Sequence, residues 1–301
     1  MRRLAAAAGG LAAAGAACFG YGVLVERHAF RLRRVTAPVL PVGQDPVRVL
    51  HVSDLHLSLD RRRLVEFVDS LAGLRPDLVV STGDNLAYAN ALEALVGAYQ
   101  RLLQFPGVFV FGAHDYYAST SVNPLSYFGA GKRSRVRPEL PHEELRAALV
   151  AGGWADVEHR RVMLTVKGRQ VEVRGTKDAH ISLDDYATVA GPPSPEAVLS
   201  IGVTHAPYQR VLDPMTADGV DLIFTGHTHG GQVCVPGYGA LITNCDLDRR
   251  RVKGLSEHSC GGRTAALHVS AGLGTSPHAP YRFACPPEAT LLTLVERDNP
   301  V

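Results

Sequence analysis

Lysine is nearly missing from this sequence: only 4 of the 31 basic residues are Lys, the rest Arg. We read that bias as genome composition before function. Cysteine is sparse too. Five Cys in 301 residues, none in a C-x-x-C pair, exclude a disulfide scaffold and give no sign of a zinc knuckle or a dithiol redox centre. Nor is there a strong charge of either sign, since 31 basic residues face 29 acidic ones for a formal net charge of +2. Domains whose main partner is nucleic acid carry a clear basic excess, so no nucleic-acid partner is expected. No internal repeat is visible, and no low-complexity tract beyond the N-terminus. What the chain does have is material for a core. Hydrophobic residues make up 46% and charged residues 20%, which excludes wholesale disorder. The length suits one large α/β domain or two small ones.

Charge is unevenly placed. Arg2 and Arg3 precede Leu4 to Val25, 22 residues without a charge, and Arg27, Arg31, Arg33 and Arg34 follow. As a helix that run would be roughly 33 Å long, enough to cross the hydrocarbon core of a bilayer. Residues 1–34 therefore read as an N-terminal membrane anchor or signal segment with basic flanks. Three readings stand side by side. One is a single-pass transmembrane helix holding the protein at the cell membrane. Another is a signal peptide cleaved at an A-x-A site such as Ala12 to Ala14. The third is a helix packed on the domain. For an anchor, the basic excess after the helix favours a cytoplasmic catalytic domain, with export as the alternative. Residues 1–34 hold six Arg and one Glu, a net +5, whereas residues 35–301 hold 25 basic and 28 acidic residues, a net −3. The basic character belongs to the flanks of the helix.

Residues 35–46, with Pro38, Pro41 and Pro46, are expected to be a linker, and 47–297 the globular domain. Short apolar runs punctuate that domain: Val47 to Val52, Leu78 to Thr82, Val108 to Phe111, Val198 to Val203, Leu222 to Thr225, Ala265 to Val269 and Thr290 to Val295. Each reads as a buried strand. Leu64, Phe67, Val68 and Leu71 recur at helical spacing, and Leu92 to Leu103 repeats the signal. Met163 to Val166, a Lys167-Gly168 turn and Val171 to Arg174 predict a hairpin. Strand–helix alternation followed by hairpins predicts an α/β fold with partly parallel sheets. Residues 116–141 form a long irregular insertion, the length of a lid or binding loop.

Polar clusters follow the predicted strands. Asp54-Leu55-His56 follows the first and Gly83-Asp84-Asn85 the second. Gly112-Ala113-His114-Asp115 follows the third, His205 ends a later one, and Gly226-His227-Thr228-His229-Gly230-Gly231 follows Leu222 to Thr225. In open α/β sheets the carboxyl ends of strands form the ligand crevice. D-x-H and H-x-H put both side chains on one side of an extended backbone. Asp and neutral His suit Mn, Fe, Zn or Co, and adjacent glycines allow close backbone approach. A lone His at a strand end is most often a structural residue, and G-D-N is often only a turn. Five such clusters in order point instead to a site with room for two divalent metal ions. His51, His159, His180, His258, His268 and His278 have no comparable setting and read as structural.

The arrangement resembles the calcineurin-like metallophosphoesterase superfamily, whose motifs run D-x-H, G-D, G-N-H-[DE], H and G-H-x-H. All five blocks occur in order across about Val47 to Val295. The string Gly226 to Gln232 resembles the membrane-associated branch of that family. So does the tail Gly272-Leu273-Gly274-Thr275 with Arg282-Phe283 and Pro287-Glu288. The resemblance implies a four-layer α/β/β/α sandwich with two mixed sheets around a dinuclear metal site, preceded here by the hydrophobic helix. It implies that Asp54, His56 and His229 hold the first metal, that Asp84 bridges, and that His205 and His227 hold the second. His114 would stabilise the transition state or protonate the leaving oxygen, and Asp115 would orient His114. The implied reaction is hydrolysis of a phosphoester or pyrophosphate bond by attack of a metal-activated hydroxide.

One departure matters. The family motif has Asn as a second-metal ligand where this sequence has Ala113, and alanine cannot coordinate. Weaker or more labile binding of the second metal is expected. Lys177 in Thr176-Lys177-Asp178 is a further difference, with no role assigned. Three basic clusters, Arg61 to Arg63, Lys132 to Arg137 and Arg249 to Lys253, either grip an anionic headgroup or bilayer or are solvated loops. Tyr116, Tyr117, Tyr127 and Phe128 either line an apolar entrance or pack the insertion. An anchored domain with such a lid suits a phosphorylated small molecule or a lipid-linked phosphate. The rival readings are a membrane-anchored metal-binding scaffold or sensor without turnover, favoured by Ala113, and a nuclease or protein phosphatase.

Overall fold

The computed structural model describes residues 2–119 and 137–297, with the backbone alone for residues 2–8 and 11. Two six-stranded mixed sheets form its centre. The first contains β1 (Arg31–Leu40), β2 (Val47–Val52), β3 (Leu78–Ser81), β4 (Gly107–Phe109), β5 (Trp154–Asp156) and β14 (Glu288–Glu296), in the order β1-β14-β2-β3-β4-β5. The second contains β6 (Arg160–Val166), β7 (Arg169–Gly175), β8 (Leu199–Val203), β9 (Leu222–Thr225), β12 (Gly254–Cys260) and β13 (Arg263–Val269), in the order β12-β13-β9-β8-β7-β6. Between β9 and β12 lies a short ribbon of β10 (Cys234–Val235) and β11 (Gly239–Ala240). Strands β2 to β5 run parallel, as do β7, β8, β9 and β13. Every residue of β3, β8 and β9 is buried. Runs without polar alternation are what a parallel strand covered on both faces requires.

The layers follow from where side chains meet. Val49, Val80 and Val108 of the first sheet pack with Val173, Ile201 and Phe224 of the second in one shared core. The outer face of the first sheet is covered by α2 (Arg62–Ser70), α3 (Leu92–Tyr99) and α5 (His142–Ala151), through Leu64, Val68, Leu95, Leu145 and Leu149. The outer face of the second is covered by α6 (Gln209–Asp218), through Val211, Leu212 and Met215. Helix on sheet on sheet on helix is the expected α/β/β/α sandwich. The β6–β7 hairpin also forms as expected, with Lys167 at φ 51° and Gly168 at φ 76° in its two-residue turn. Two successive positive φ values match the right-handed twist of the flanking strands.

Two expectations need correction. The linker at 35–46 is a strand through Leu40: β1 pairs in parallel with β14 from Arg31↔Glu288 to Leu40↔Glu296. Its prolines misled because β1 is an edge strand, where a residue without an N–H leaves no ladder bond unmade. Val35 and buried Ala37 and Val39 face the shared core at period two.

The N-terminal helix forms as α1 (Arg2–Leu24), but the transmembrane span is not borne out. Among the described residues no helix is long and apolar enough to cross a membrane. Ala and Gly dominate its sequence, so apolar surface per residue is small. The end of the helix touches the domain instead. Phe19 meets Tyr281 and Tyr21 meets Phe283, with ring centroids 5.6 and 6.3 Å apart. The buried Glu26 carboxylate accepts from the amides of Cys285 at 2.6 Å and Ala284 at 3.0 Å.

Of the insertion at 116–141, residues 120–136 lie outside the described residues, and with them Tyr127, Phe128 and most of the cluster from Lys132. At its root, Tyr116 is buried and donates to Glu158 Oε1 at 2.5 Å, so it packs the loop.

Candidate metal centre

The polar clusters stand at the carboxyl ends of β2, β3, β4, β8 and β9, brought to one edge of the sandwich by the parallel strands. Five of the six expected ligands have a left-handed backbone: Asp54 at φ 52°, His56 at 41°, Asp84 at 54°, His227 at 67° and His229 at 49°. Non-glycine residues rarely adopt such angles, and strain of this kind gathers at functional sites. Two glycines make room. A Cβ on Gly112 would collide with Asp84 Oδ1 and come within 2.6 Å of His205 Nε2. One on Gly226 would collide with Ser53 Oγ and come within 2.6 Å of Asp54 Oδ2.

Three groups of donor atoms, each within 4.8 Å of one another, converge: Asp54, His56 and His229; His56, Asp84 and His114; Asp54, Asp84 and His205. Asp84 is the hinge of the set. Its Oδ2 lies 3.4 Å from His56 Nε2 and 3.4 Å from His205 Nε2, while Oδ1 accepts the His114 amide at 2.7 Å. His56 Nε2 is 3.1 Å from His229 Nε2, which is 3.7 Å from Asp54 Oδ1. His227 is in none of the three groups, but its ring lies 5.3 Å from that of His205, between centroids.

Protonation suits cation binding. Burial pushes the imidazoles of His227 and His229 well below the usual histidine range and that of His56 down to about 3, so all three rings are neutral at pH 7. Burial pushes Asp84 up, but His205, His114 and His56 outweigh it and hold its carboxyl well below the usual range. Burial raises Asp54 to about 6. His205 is held well above the usual range, against burial, by Asp84 and Asp178. Its tautomer can be argued from geometry. Nδ1 is 2.6 Å from the Thr82 carbonyl, which can only accept, so Nδ1 carries the proton. His205 Nε2 is buried without a hydrogen-bond partner, and it is the nitrogen a cation would take by displacing the proton that Asp84 and Asp178 favour there. His227 Nε2 is likewise placed to donate to the Asn244 carbonyl at 3.1 Å, which frees Nδ1. Neutral His56, His227 and His229, with a His205 whose Nε2 proton a cation can displace, around the ionised Asp84, fit divalent cations.

Ala113 is buried and brings no donor atom. Beside it lies a residue the motifs did not single out. Asp178 is buried, its Oδ1 accepts the His180 amide at 2.8 Å, and its Oδ2 has no hydrogen-bond partner. Burial raises its carboxyl to about 6.

His114 stacks edge-on against His56 with centroids 4.9 Å apart, and its Nδ1 is 3.0 Å from Ser119 Oγ. Burial lowers its pKa. Asp115 makes no hydrogen bond to the His114 ring, which corrects its expected role. Its carboxylate accepts the amides of Asp84 at 2.7 Å, Asn85 at 2.8 Å and Gly112 at 3.0 Å. It fastens the Asp84 loop, because as the third residue of the short helix α4 (Ala113–Tyr116) it faces back to the helix start. Ser119 Oγ, not Asp115, is the side-chain group that meets His114 Nδ1.

Of the histidines read as structural, His159 and His258 keep local bonds, to the Asp185 amide at 3.0 Å and to Asp213 Oδ1 at 2.7 Å. His278 touches the Ser119 carbonyl at 3.2 Å, and the His180 ring lies 4.3 Å from that of His227. The basic clusters make local contacts: Arg62 pairs with Glu66 at 2.8 Å, and Arg249 lies over the Tyr238 ring. Arg282 of the tail approaches the centre, with Nη2 3.1 Å from His229 Nδ1. In sequence Arg282 stands out only as part of the tail that resembles the membrane-associated branch, with nothing to place it beside His229.

Fold and site together define an α/β/β/α sandwich with a candidate His/Asp cation centre at its strand ends. The model of the calcineurin-like phosphoesterase family matches residues 47–231, more than half of the chain, and the chain belongs to that family. It is 26% identical to the metallophosphoesterase YkuE of Bacillus subtilis (strain 168), over 96% of this chain and 93% of that one. It is 27% identical to the phosphodiesterase YaeI of Escherichia coli (strain K12), over 92% of this chain and 93% of that one. A Bos taurus transmembrane protein with a metallophosphoesterase domain is 26% identical over 70% of this chain and 47% of its own length.

Proposed function

We propose that the protein is a metal-dependent phosphoester hydrolase acting on a phosphorylated small molecule, with diesters the first class to test. The observation that carries the reading is Asp84 Oδ2, set 3.4 Å from His205 Nε2 and 3.4 Å from His56 Nε2. One carboxylate oxygen shared by two imidazoles is the layout of a bridging ligand. Asp54, His56 and His229 would hold one ion and His205 and His227 the other, with Asp84 between them. When bound, two such ions supply an activated water and neutralise phosphoryl oxygens. The chain's own work is to place those donors, to exclude bulk water by burial, and to present His114 beside the centre. With Ser119 on Nδ1, the other ring nitrogen of His114 is left to hydrogen-bond a phosphoryl or leaving oxygen. The YaeI name supports diesters as the substrate class.

The test is hydrolysis of an aryl phosphodiester, an aryl monoester, a pyrophosphate and a lipid-linked pyrophosphate, each with and without Mn²⁺. Turnover of at least one is expected to require Mn²⁺. His114→Ala should lower kcat by about 100-fold or more while leaving Mn²⁺ binding intact. A second reading, a cation-binding protein without turnover, is favoured by Ala113. No turnover of any substrate by a chain loaded with two Mn²⁺ ions would decide for it.

A further inference from the structure

Behind Asp54 a hydrogen-bond chain crosses from one sheet to the other. His268 on β13 and His51 on β2 face each other, Nδ1 to Nδ1, at 2.8 Å. His51 Nε2 is 3.0 Å from Thr82 Oγ1. Thr82 donates to Ser53 Oγ at 2.6 Å, and Ser53 donates to Asp54 Oδ2 at 2.5 Å. All five residues are fully buried. Nothing in the spacing of His51 or His268 separates them from ordinary core histidines. Only the fold lines them up.

The direction of every proton can be worked out. An ionised carboxylate can only accept, so the Ser53 hydroxyl proton points at Asp54. Ser53 Oγ then accepts the single proton of Thr82. Thr82 Oγ1, its proton spent, must accept from His51 Nε2. A neutral His51 therefore has a bare Nδ1, and burial keeps both rings neutral. A 2.8 Å contact between two nitrogens holds one proton, which must sit on His268 Nδ1. That leaves His268 Nε2 as a lone pair, and it is buried without a hydrogen-bond partner. Every donor in the chain points toward Asp54.

We propose that His268 and His51 are positioning residues for Asp54, fixing Oδ2 as an acceptor so that Oδ1, which shares the His227 amide at 3.1 Å and lies on the His229 side, keeps a lone pair for a cation. This rests on the reading of Asp54 as a metal ligand. It adds a cross-sheet element: His268 belongs to the second sheet, as does the strand leading to His229, whereas Asp54 follows a strand of the first. The chain fixes how far apart ligands from the two sheets stand.

Two measurements on the full chain test this. Long-range ¹H–¹⁵N spectra of the metal-free protein should show the proton on Nε2 of His51 and on Nδ1 of His268. Calorimetric titration with Mn²⁺ should show His268→Leu weakening the tighter site by about tenfold, as loss of an outer hydrogen-bond partner does. His268→Asn puts an amide N–H where Nδ1–H was, and should restore affinity to near the wild-type value. A proton on His51 Nδ1, or equal weakening by Leu and Asn, overturns the proposal. Should His268→Leu not fold, the tautomers and the Asn variant decide. A wild-type chain that takes up no Mn²⁺ overturns the ligand reading itself, which the tautomers distinguish from a wrongly directed chain.

Discussion

At Gly112 a single added carbon would meet both the Asp84 carboxylate and His205 Nε2. Neither neighbour can retreat, since Asp84 is held by the His114 amide and His205 by the Thr82 carbonyl. Gly112→Ala should cost about 1–3 kcal/mol by overpacking, read as a lower thermal midpoint, and should abolish high-affinity Mn²⁺ uptake. The neighbouring position argues the other way. Ala113→Asn adds a donor beside His205 and Asp178, and should tighten the weaker of two Mn²⁺ sites by about tenfold in metal analysis after gel filtration. All six ligand candidates could be picked out of the sequence, because Asp and His after apolar runs are chemically distinctive. The partners that tune them could not. Ser119, Asp178 and Thr82 are ordinary residues until the fold places them. Asp115 shows the limit of reading roles by adjacency, since being next to His114 in a helical turn sets the two side chains about 100° apart, not facing each other.

Among the elements, apolar runs such as Leu78 to Thr82 and Leu222 to Thr225 announced themselves as strands because burial on both faces demands uniform side chains. Strand β1 did not, because Pro38 and three Arg residues give it the composition of a loop. Only its pairing partner reveals it. Helix α6 was equally hard to see, with Pro214 inside it; packing of Val211, Leu212 and Met215 outweighs the missing hydrogen bond, and Gly219 at φ 96° ends it. The strand reading of β1 has a direct check. Removing residues 1–40 would uncover the whole length of β14 and should yield aggregated or unfolded protein in size-exclusion chromatography. Removing residues 1–20 should leave a folded, monodisperse domain, because the Glu26 contact and β1 remain. Equal behaviour of the two truncations would sink the assignment.

At the level of the whole molecule, the sandwich was expected from the motif order, but the polar contact between its sheets was not. His51 and His268 are buried and neutral in the fold, with pKa values below the unfolded value of about 6.5. Their contribution to stability is therefore complete above pH 6.5. It is lost as pH falls toward about 3, the value to which His268 is lowered, because the unfolded chain takes up the protons first. Melting curves between pH 7 and 4 should show stability falling by up to about 1.4 kcal/mol per pH unit for each ring. A His51→Gln/His268→Leu double variant, less stable at pH 7, should show a shallower slope. The centre itself spans the same divide. Asp54, His56 and Asp84 come from the first sheet, and His205, His227 and His229 from the second. A cation held there is a rivet through both halves of the molecule, with no purchase on a chain whose sheets have parted. Its binding free energy then counts fully toward folding, so chelation should lower the melting temperature, and each loosening of the sandwich should be felt as weaker metal affinity.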